Sequence, residues 1–450
     1  MQNKSILILF MFLNLNFLQS QVLTTSPLSY YGMGKMSIET NPIFQSLGNA
    51  TVAFLDSGVI NFNNPASYSD LGSGYTLLST GIHGNFSRYS ENGNSSVTAF
   101  SNLNHLAIGM RVHPRVGLAF GFKPYSYRGY NFTDKIFTGT DSIRYDYKGI
   151  GSTQIAFFGM SFKLIQFKST QLSLGANTGL LFGSLSNDRL SRLIASNSVK
   201  GGVEKTQLNF SSWYYQIGAM FQQKISKNSQ INIGFSIEPN QVLNSKYSNG
   251  LYYSSNVFNE KYFDTISYYT ANGGVRMPSS MQVGFEYTLK YKNLVKNNRK
   301  LNSELKIIGN LASVDYSNYS ETFDTVTKTS NLAKNQRFGF GIQWIPERNY
   351  FENNSLTKFY ERMFYRAGFF QEKSTYLNSN QENKHFGITF GIGLPIFAQQ
   401  SLSSVNFGIT LGSNNTNIEN SLSEKYATIN FGVILSPSVF DKWFRKRKLD

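Results

Sequence analysis

Large apolar residues alternate with small or polar residues along many stretches of the chain. In RVGLAFGFKPYS, Val116, Leu118, Phe120 and Phe122 are separated mainly by glycine and alanine. The stretches INIGFSIEP, MQVGFEYTLKY and VNFGITLG repeat this period of two. Since successive side chains of a β-strand point to opposite faces of a sheet, the pattern predicts strands with one apolar and one polar face.

The less apolar face decides between two all-β architectures. A soluble sandwich turns its apolar faces inward and keeps lysine and glutamate outside, whereas a transmembrane barrel turns its apolar faces to lipid. Here the opposite face carries mainly Gly, Ser, Thr, Asn and Gln. Strands of about ten residues with aromatic ends also suit a bilayer crossing, in which every backbone N–H is paired within a closed sheet. We therefore predict an antiparallel transmembrane β-barrel whose large side chains face hydrocarbon.

The connectors between these stretches support the same prediction. Short ones such as HPR and QFKS alternate with long polar ones such as 131–151 and 246–277, as in outer-membrane barrels with short periplasmic turns and long outer loops. The segment 251–269 alternates strongly and predicts an extracellular hairpin. The count is about 14 strands with both termini periplasmic. They are expected near 75–89, 104–112, 116–130, 152–165, 170–185, 207–224, 230–245, 278–291, 303–320, 334–346, 361–375, 384–396, 402–413 and 425–437.

The segments outside the barrel complete the predicted domain organisation. Lys4 followed by SILILFMFLNLNFL has the form of a signal peptide over 1–20. Residues 21–74 lack regular alternation but are rich in apolar and turn-forming residues, so we predict a plug in the lumen; a disordered periplasmic tail is the alternative. The barrel then spans 75–437 and a basic periplasmic tail 438–450. The chain has no Cys, which excludes a lipoprotein anchor and a disulfide framework.

Two short motifs in the predicted plug carry a family resemblance. LGNA at 47–50 is followed by NNPAS at 63–67, in which Asn64, Pro65 and Ala66 match an Asn-Pro-Ala box. Together they resemble the N-terminal hatch of the FadL family of outer-membrane transporters for hydrophobic compounds. SPLSYYGMGK, YRAGFF and DKWFRKRKLD are similar to a Bacteroidota branch of that family. The chain departs from the family by continuing past Leu435 with a basic tail.

The resemblance implies two different functions. The leading expectation is passage of hydrophobic or amphipathic small molecules across the outer membrane, with lipids and a hydrophobic ligand as partners. The alternative is a non-transporting barrel subunit of a multi-protein outer-membrane machine, for barrel assembly or type IX secretion. Fold similarity does not choose between them.

A proline inside the third predicted strand predicts an irregular point in the wall. Pro124 has no N–H for the strand ladder, so the position predicts a bulge or a strand end. Relatives in the FadL family expel substrate through a gap made by a kinked third strand. By this resemblance, Phe122, Pro124, Tyr125 and Tyr127 would line a lateral opening.

The basic residues are grouped rather than spread. The formal net charge is +16, from 42 Lys and Arg against 26 Asp and Glu. The predicted periplasmic ends suit anionic lipid head groups or an acidic periplasmic partner rather than nucleic acid, with a solvated collar as the alternative. The residues of this predicted rim and tail are Arg111, Arg115, Lys296, Arg299, Lys300, Arg445, Lys446, Arg447 and Lys448.

The sequence offers little for catalysis. It has four widely spaced His, no Cys, no His-Glu-x-x-His pair and no Gly-x-Ser-x-Gly elbow. Gly-x-Gly pairs such as the one in RFGFGIQW lie in strand patterns with no helix following, so they do not form phosphate loops. We predict no enzyme activity, no catalytic residues, no metal site and no cofactor.

Overall fold

A computed structural model describes most of the chain. The described residues are 26–30, 32–37, 41–139, 141–194, 201–254, 263–295, 299–329, 332–349, 357–376, 382–396, 401–416 and 421–436. The predicted signal peptide, Lys296 and the predicted tail with Arg445, Lys446, Arg447 and Lys448 lie outside these ranges.

Within the described residues, 19 strands belong to one sheet. The first nine are β1 (Lys35–Met36), β2 (Thr76–Glu91), β3 (Asn94–His113), β4 (Val116–Phe137), β5 (Ser142–Gln166), β6 (Thr170–Leu193), β7 (Gly201–Lys224), β8 (Ser229–Glu238) and β9 (Val242–Ser254). The others are β10 (Phe263–Arg276), β11 (Ser279–Val295), β12 (Arg299–Asp315), β13 (Ser320–Phe323), β14 (Val326–Thr329), β15 (Leu332–Ile345), β16 (Phe364–Tyr376), β17 (Glu382–Pro395), β18 (Ser404–Thr416) and β19 (Ser423–Leu435). The one α-helix in these ranges is α1 (Pro42–Gln45), and 3-10 turns span Pro27–Tyr30, Pro65–Asp70 and Phe359–Arg362.

The sheet closes on itself as an antiparallel barrel. The last strand pairs with the first wall strand, from Ser423 opposite Ser90 to Leu435 opposite Leu78. Four wall strands are built of two pieces each, β8 with β9, β10 with β11, β12 with β13 and β14 with β15, because the two pieces pair with the same neighbours. The wall therefore has 14 strands, which confirms the predicted fold.

Short turns mark one end of the barrel, which we call the short-turn end. They join β3 to β4, β5 to β6 and β7 to β8. At the other end the strands are longer than the sequence predicted. The polar connector 131–151 was expected to be a loop, but β4 runs to Phe137 and pairs with β5, so this prediction was wrong. Within the connector 246–277, the hairpin predicted at 251–269 agrees with the pairing of β9 with β10 in the described residues. At this end of the barrel the strands continue as hydrogen-bonded ladders beyond the apolar belt.

The outward face forms an apolar belt around the barrel. On β2, Ile82 and Phe86 are each about half exposed, while His83 and Asn85 between them are buried. On β18, Phe407, Ile409 and Leu411 are exposed in the same way, and the alternate positions are buried. This arrangement is the reverse of a soluble sandwich, so the large residues of the alternation face lipid.

Residues 41–71, which we call the inner segment, run through the centre of the barrel. Ile43, Phe44, Leu47, Ile60 and Phe62 in this segment are almost completely buried. Every wall strand apart from β12–β13 places a glycine so close that an added Cβ would come within about 3.1 Å of an inner-segment atom. These glycines are Gly81, Gly109, Gly117, Gly159, Gly175, Gly218, Gly234, Gly284, Gly339, Gly341, Gly368, Gly391, Gly408 and Gly432. The small residues of the alternation are therefore those that face the inner segment.

Candidate functional site

The Asn-Pro-Ala box ties the inner segment to the wall. The Asn64 Oδ1 accepts a hydrogen bond from the Ala66 N–H at 3.1 Å and so caps the 3-10 turn that Pro65 begins. Its Nδ2 donates to the carbonyl oxygen of Val52 at 2.7 Å and to that of Ala219 on β7 at 3.0 Å. One side chain thus joins two parts of the inner segment to the barrel, a structural role for the predicted motif.

A buried charged cluster forms a second tie near the short-turn end. The Lys306 Nζ lies 3.6 Å from Glu286 Oε1 and 3.8 Å from Asp56 Oδ2, and it donates to the backbone carbonyl of Leu55. The Glu286 Oε2 accepts from the Leu55 N–H at 3.0 Å. The side chain of Arg348 also lies 3.8 Å from Asp56. The inner-segment loop 55–56 is therefore held to β11 and β12 by charges that are themselves buried.

Asp70, at the end of the inner segment, makes a third tie. Its carboxylate accepts from Lys163 Nζ at 2.6 Å, from Gln171 Nε2 at 2.9 Å and from Gln222 Nε2 at 2.6 Å. These three partners come from β5, β6 and β7. Neither this tie nor the Lys306 cluster was predicted from the sequence. Their signal is a charged residue on the face of an alternating strand that otherwise carries small or neutral residues, as Glu286 does in MQVGFEYTLKY.

The cavity between the inner segment and the wall has a mixed lining of apolar, polar and charged side chains. A cavity of about 130 Å³ is lined by 19 residues, among them Lys123, Glu238, Arg337 and Glu372. The Lys123 ammonium lies 5.8 Å from the ring centroids of both Phe62 and Tyr214. Charged groups therefore face the place where the transport hypothesis expects an apolar pocket.

Glu372 in this cavity belongs to a hydrogen-bonded network. It accepts from Asn335 Nδ2 at 2.6 Å, and its second oxygen lies 3.4 Å from His385 Nδ1 and 3.6 Å from Arg337. The His385 Nε2 is 2.6 Å from the Tyr426 hydroxyl. The network spans β15 to β19, and it adds to the polar character of the lumen.

The wall around Pro124 is irregular. The register between β4 and β5 shifts between Pro124 and Ser126, which is a bulge at the position of the predicted break. The β3–β4 ladder in the described residues extends from His113 opposite Val116 to Leu106 opposite Phe122. Beyond it, β1 pairs with β4 at Ser126 and Tyr127.

The middle of β4 is covered on both faces, whereas residues 131–137 that follow it are exposed. All eight residues from Lys123 to Tyr130, including Tyr125 and Tyr127, are buried, whereas Phe122 is half-buried. A cleft of about 860 Å³ lies between the β2–β3 hairpin and the β4–β5 ladder, lined in part by Tyr130, Phe132 and Ile150. The four residues predicted for a lateral opening thus lie together, at the point where the β3–β4 ladder ends.

The described members of the predicted basic rim lie at one end of the barrel. Arg111 and Arg115 flank the β3–β4 turn, and Arg299 and Lys300 pair with Val295 and Leu294 where β12 begins. This is the short-turn end, which is the periplasmic end in outer-membrane barrels.

The described ranges contain neither a helix that could span a membrane nor a candidate metal-binding cluster. None of their helices has the length and apolar character needed to cross a membrane. They also contain no group of three or more His, Asp or Glu side chains placed to hold a metal ion.

Several solved structures share this fold at low sequence identity. CymD, a monoaromatic hydrocarbon channel, aligns with a TM-score of 0.54 at 12% identity over 90% of this chain and 99% of its own. A Pseudomonas aeruginosa FadL homologue aligns with a TM-score of 0.53 at 11% identity over 90% and 100% of the two chains. The Pseudomonas putida toluene transporter TodX aligns with a TM-score of 0.53 at 14% identity over 89% and 99%. None of the three is described as an enzyme.

These structural similarities and a comparison with family models identify the fold and the family of the chain. The fold is that of the FadL-like outer-membrane barrels, which confirms the resemblance found in the hatch motifs. A search of curated protein sequences finds no match. A family model described as BamG matches residues 1–450, the full length of the sequence. The chain therefore belongs to the BamG family.

Proposed function

We propose that this chain is a barrel subunit of a multi-protein outer-membrane machine that assembles other barrels, and that it does not itself conduct hydrophobic molecules. The name of the family, BamG, favours this function over the other that the sequence left open. In this proposal the FadL-type barrel serves as a scaffold in the membrane, and the inner segment 41–71 is a fixed plug.

The observation that carries the proposal is the charge on the lumen side of the wall. Lys306 and Glu286 lock the inner segment to the wall, and both are almost completely buried. The cavity of about 130 Å³ also has charged residues in its mixed lining, among them Lys123, Arg337 and Glu372. An apolar molecule entering it would displace the partners of buried charges, which costs several kcal/mol per uncompensated charge. A conduit for hydrocarbons would instead be expected to have an apolar lining.

Purification of the native complex tests this proposal. The full chain, tagged and solubilised in mild detergent, is expected to co-purify in fixed stoichiometry with envelope proteins that insert barrels into the outer membrane. Depleting it should lower the amount of several unrelated outer-membrane barrels. Isolation as a lone barrel, with normal levels of those proteins after depletion, would count against the proposal.

A second candidate function is the passage of hydrophobic or amphipathic small molecules. The observation that favours it is the bulge at Pro124 together with the end of the β3–β4 ladder at Leu106 and Phe122. In this candidate, Phe122, Pro124, Tyr125 and Tyr127 form a lateral opening toward lipid, as the sequence predicted.

A proline substitution separates the two candidates. Pro124→Ala supplies the missing N–H, and Pro395→Ala, at the end of β17, is its control. If the opening conducts, cells with Pro124→Ala take up the apolar dye N-phenylnaphthylamine at a different rate from cells with Pro395→Ala. Equal uptake in both variants and in depleted cells removes the transport candidate.

A further inference from the structure

A cavity of about 540 Å³ at the short-turn end is lined by five cationic and four acidic side chains among other polar residues. Its floor is the inner-segment loop of Leu55, Asp56 and Ser57, and we call the cavity the periplasmic bowl. Its sides come from the ends of β7, β8, β11 and β12 and from the turn 226–228. Its volume falls within the range of ordinary ligand-binding pockets.

The carboxylates of the periplasmic bowl are already engaged within the barrel. Asp70 accepts from three side chains of the wall, and Glu304 lies 2.7 Å from the Arg348 guanidinium. Asp56 and Glu286 face Lys306 and each accept a backbone N–H, from Gly58 and Leu55 respectively. Three cations, Lys163, Lys306 and Arg348, therefore face these four carboxylates.

Three lysines of the periplasmic bowl are not compensated in this way. Lys224, Lys227 and Lys290 all line the cavity and are exposed. Within the described residues, none of the three has a carboxylate within salt-bridge distance. They lie on adjoining parts of the wall, since the Lys290 N–H donates to the Asn228 carbonyl at 2.8 Å beside the turn that holds Lys227. Like charges gathered at a concave site attract an anionic partner.

We propose that the periplasmic bowl binds an acidic stretch of a periplasmic polypeptide, whose carboxylates reach Lys224, Lys227 and Lys290. The inference rests on the proposed function, because it gives the barrel a contact to another subunit. A lipid head group fits the site less well, since the bowl opens inside the ring of strands and its floor is the inner segment, whereas lipids contact the outer belt. Side-chain amides and hydroxyls beside the lysines (Ser226, Asn228, Ser229 and Gln230) supply hydrogen-bonding groups for an extended peptide.

Peptide binding to the purified full chain in detergent tests the inference. The probe is a fluorescein-labelled octapeptide of alternating Asp and Ser, and its counterpart of alternating Asn and Ser is the neutral control. The triple variant Lys224→Gln, Lys227→Gln, Lys290→Gln removes the charges of the bowl. A matched variant, Lys135→Gln, Lys246→Gln, Lys425→Gln, removes three exposed lysines toward the other end of the barrel. Heat-modifiable migration in gel electrophoresis checks that both variants fold.

The acidic peptide is expected to bind the unmodified chain more weakly as salt increases, and the neutral peptide is expected not to bind. The bowl variant should bind the acidic peptide about tenfold more weakly, since it removes three positive charges at once. The matched variant should bind like the unmodified chain. Equal weakening in both triple variants, or none in the bowl variant, would overturn the inference.

Two further measurements distinguish a peptide from a lipid as the anionic partner and separate the inference from the proposed function. If the bowl variant instead loses adsorption to phosphatidylglycerol vesicles while peptide binding is unchanged, the lysines contact lipid and the inference is wrong. If the tagged bowl variant still co-purifies with all envelope partners in normal amounts, the inference fails while the proposed function stands. Co-purification of no partner by the unmodified chain would defeat the proposed function itself.

Discussion

The substitution Gly117→Ala tests whether the small residues of the alternating pattern exist to admit the inner segment. An ideal Cβ on Gly117 would lie 2.0 Å from the carbonyl oxygen of Tyr68 and 2.5 Å from the Ser69 nitrogen. Both are backbone atoms, so no side-chain rotation relieves the contact. The inner segment would have to retreat by about 1.4 Å to reach an ordinary 3.4 Å contact.

The retreat would also disturb bonds that hold the inner segment. The Tyr68 hydroxyl donates to Asn177 at 3.0 Å, and Asp70 follows two residues later with its three partners. Overpacking of a dense interior costs about 1–3 kcal/mol. We expect a loss near 3 kcal/mol in the free energy of unfolding, because a rigid backbone rather than a flexible side chain must move.

The control is Gly84→Ala on β2, where the nearest atom to the added Cβ is 4.0 Å away. Alanine there should leave the stability within about 0.5 kcal/mol or raise it slightly, since it restricts the unfolded chain. Urea titration of the folded barrel in detergent, followed by tryptophan fluorescence, measures both variants. Equal stability of the two alanine variants would refute the close contact of Gly117 with the inner segment.

Three further predictions concern the ties between inner segment and wall. Lys306→Met leaves Glu286 buried without its cation, so we expect the free energy of unfolding in the same titration to fall by about 3–5 kcal/mol. Part of this loss should be recovered in the double variant Lys306→Met, Glu286→Leu. Full stability of the single variant would show that the cluster does not hold the loop. Burial would by itself raise the pKa of the Asp56 carboxyl, but the charges of Lys306 and Arg348 and the hydrogen bond from Gly58 outweigh it, and the pKa lies below its ordinary value. The contribution of Asp56 to stability is therefore complete above the unfolded-state pKa of about 3.9 and is lost as the pH falls through the folded-state pKa. The free energy of unfolding measured from pH 6 to pH 3 should decline less in Asp56→Asn than in the unmodified chain. Parallel curves for the two proteins would contradict this. Asn64→Ala removes one accepted and two donated hydrogen bonds and leaves the carbonyl groups of Val52 and Ala219 without this donor. We therefore expect the free energy of unfolding to fall by about 2–4 kcal/mol, seen as a lower temperature of heat modification. An unchanged temperature would mean that the Asn-Pro-Ala box does not anchor the inner segment.

The sequence predicts the outer surface of the barrel better than its contents. Alternation in stretches such as VNFGITLG fixes which residues face lipid, because a period of two is a property of each strand alone. It also gives the number of wall strands. The ends of the strands were predicted less well, since β4 continues to Phe137 through residues whose polarity resembles that of a loop. Strands that pair outside the membrane need no apolar face toward lipid, so the hydrophobic pattern of the sequence does not reveal them.

The contents of the lumen depend on contacts between residues far apart in the sequence. Glu286 and Lys306 are recognisable as charged residues on a small-residue face, but only the register of β11 against β12 and the path of the inner segment bring them to Asp56. The Asn-Pro-Ala box was found by resemblance, whereas its hydrogen bonds to Val52 and to β7 follow from the fold. Pro124 was located correctly as an irregular point of the wall, and its part in any opening stays a prediction.

The glycines of the wall and the polar groups of the lumen have different effects on the position of the inner segment. Glycines on nearly every wall strand allow the inner segment to approach the wall closely, in several places with its backbone. The polar backbone then requires partners in the wall, which Asn310, Glu286 and Thr389 supply to the N–H groups of Val52, Leu55 and Gly48. A passage for hydrocarbons between segment and wall would have to break these bonds and leave buried polar groups unpaired. An inner segment bound to the wall at these three points supports the proposed role of the barrel as a scaffold.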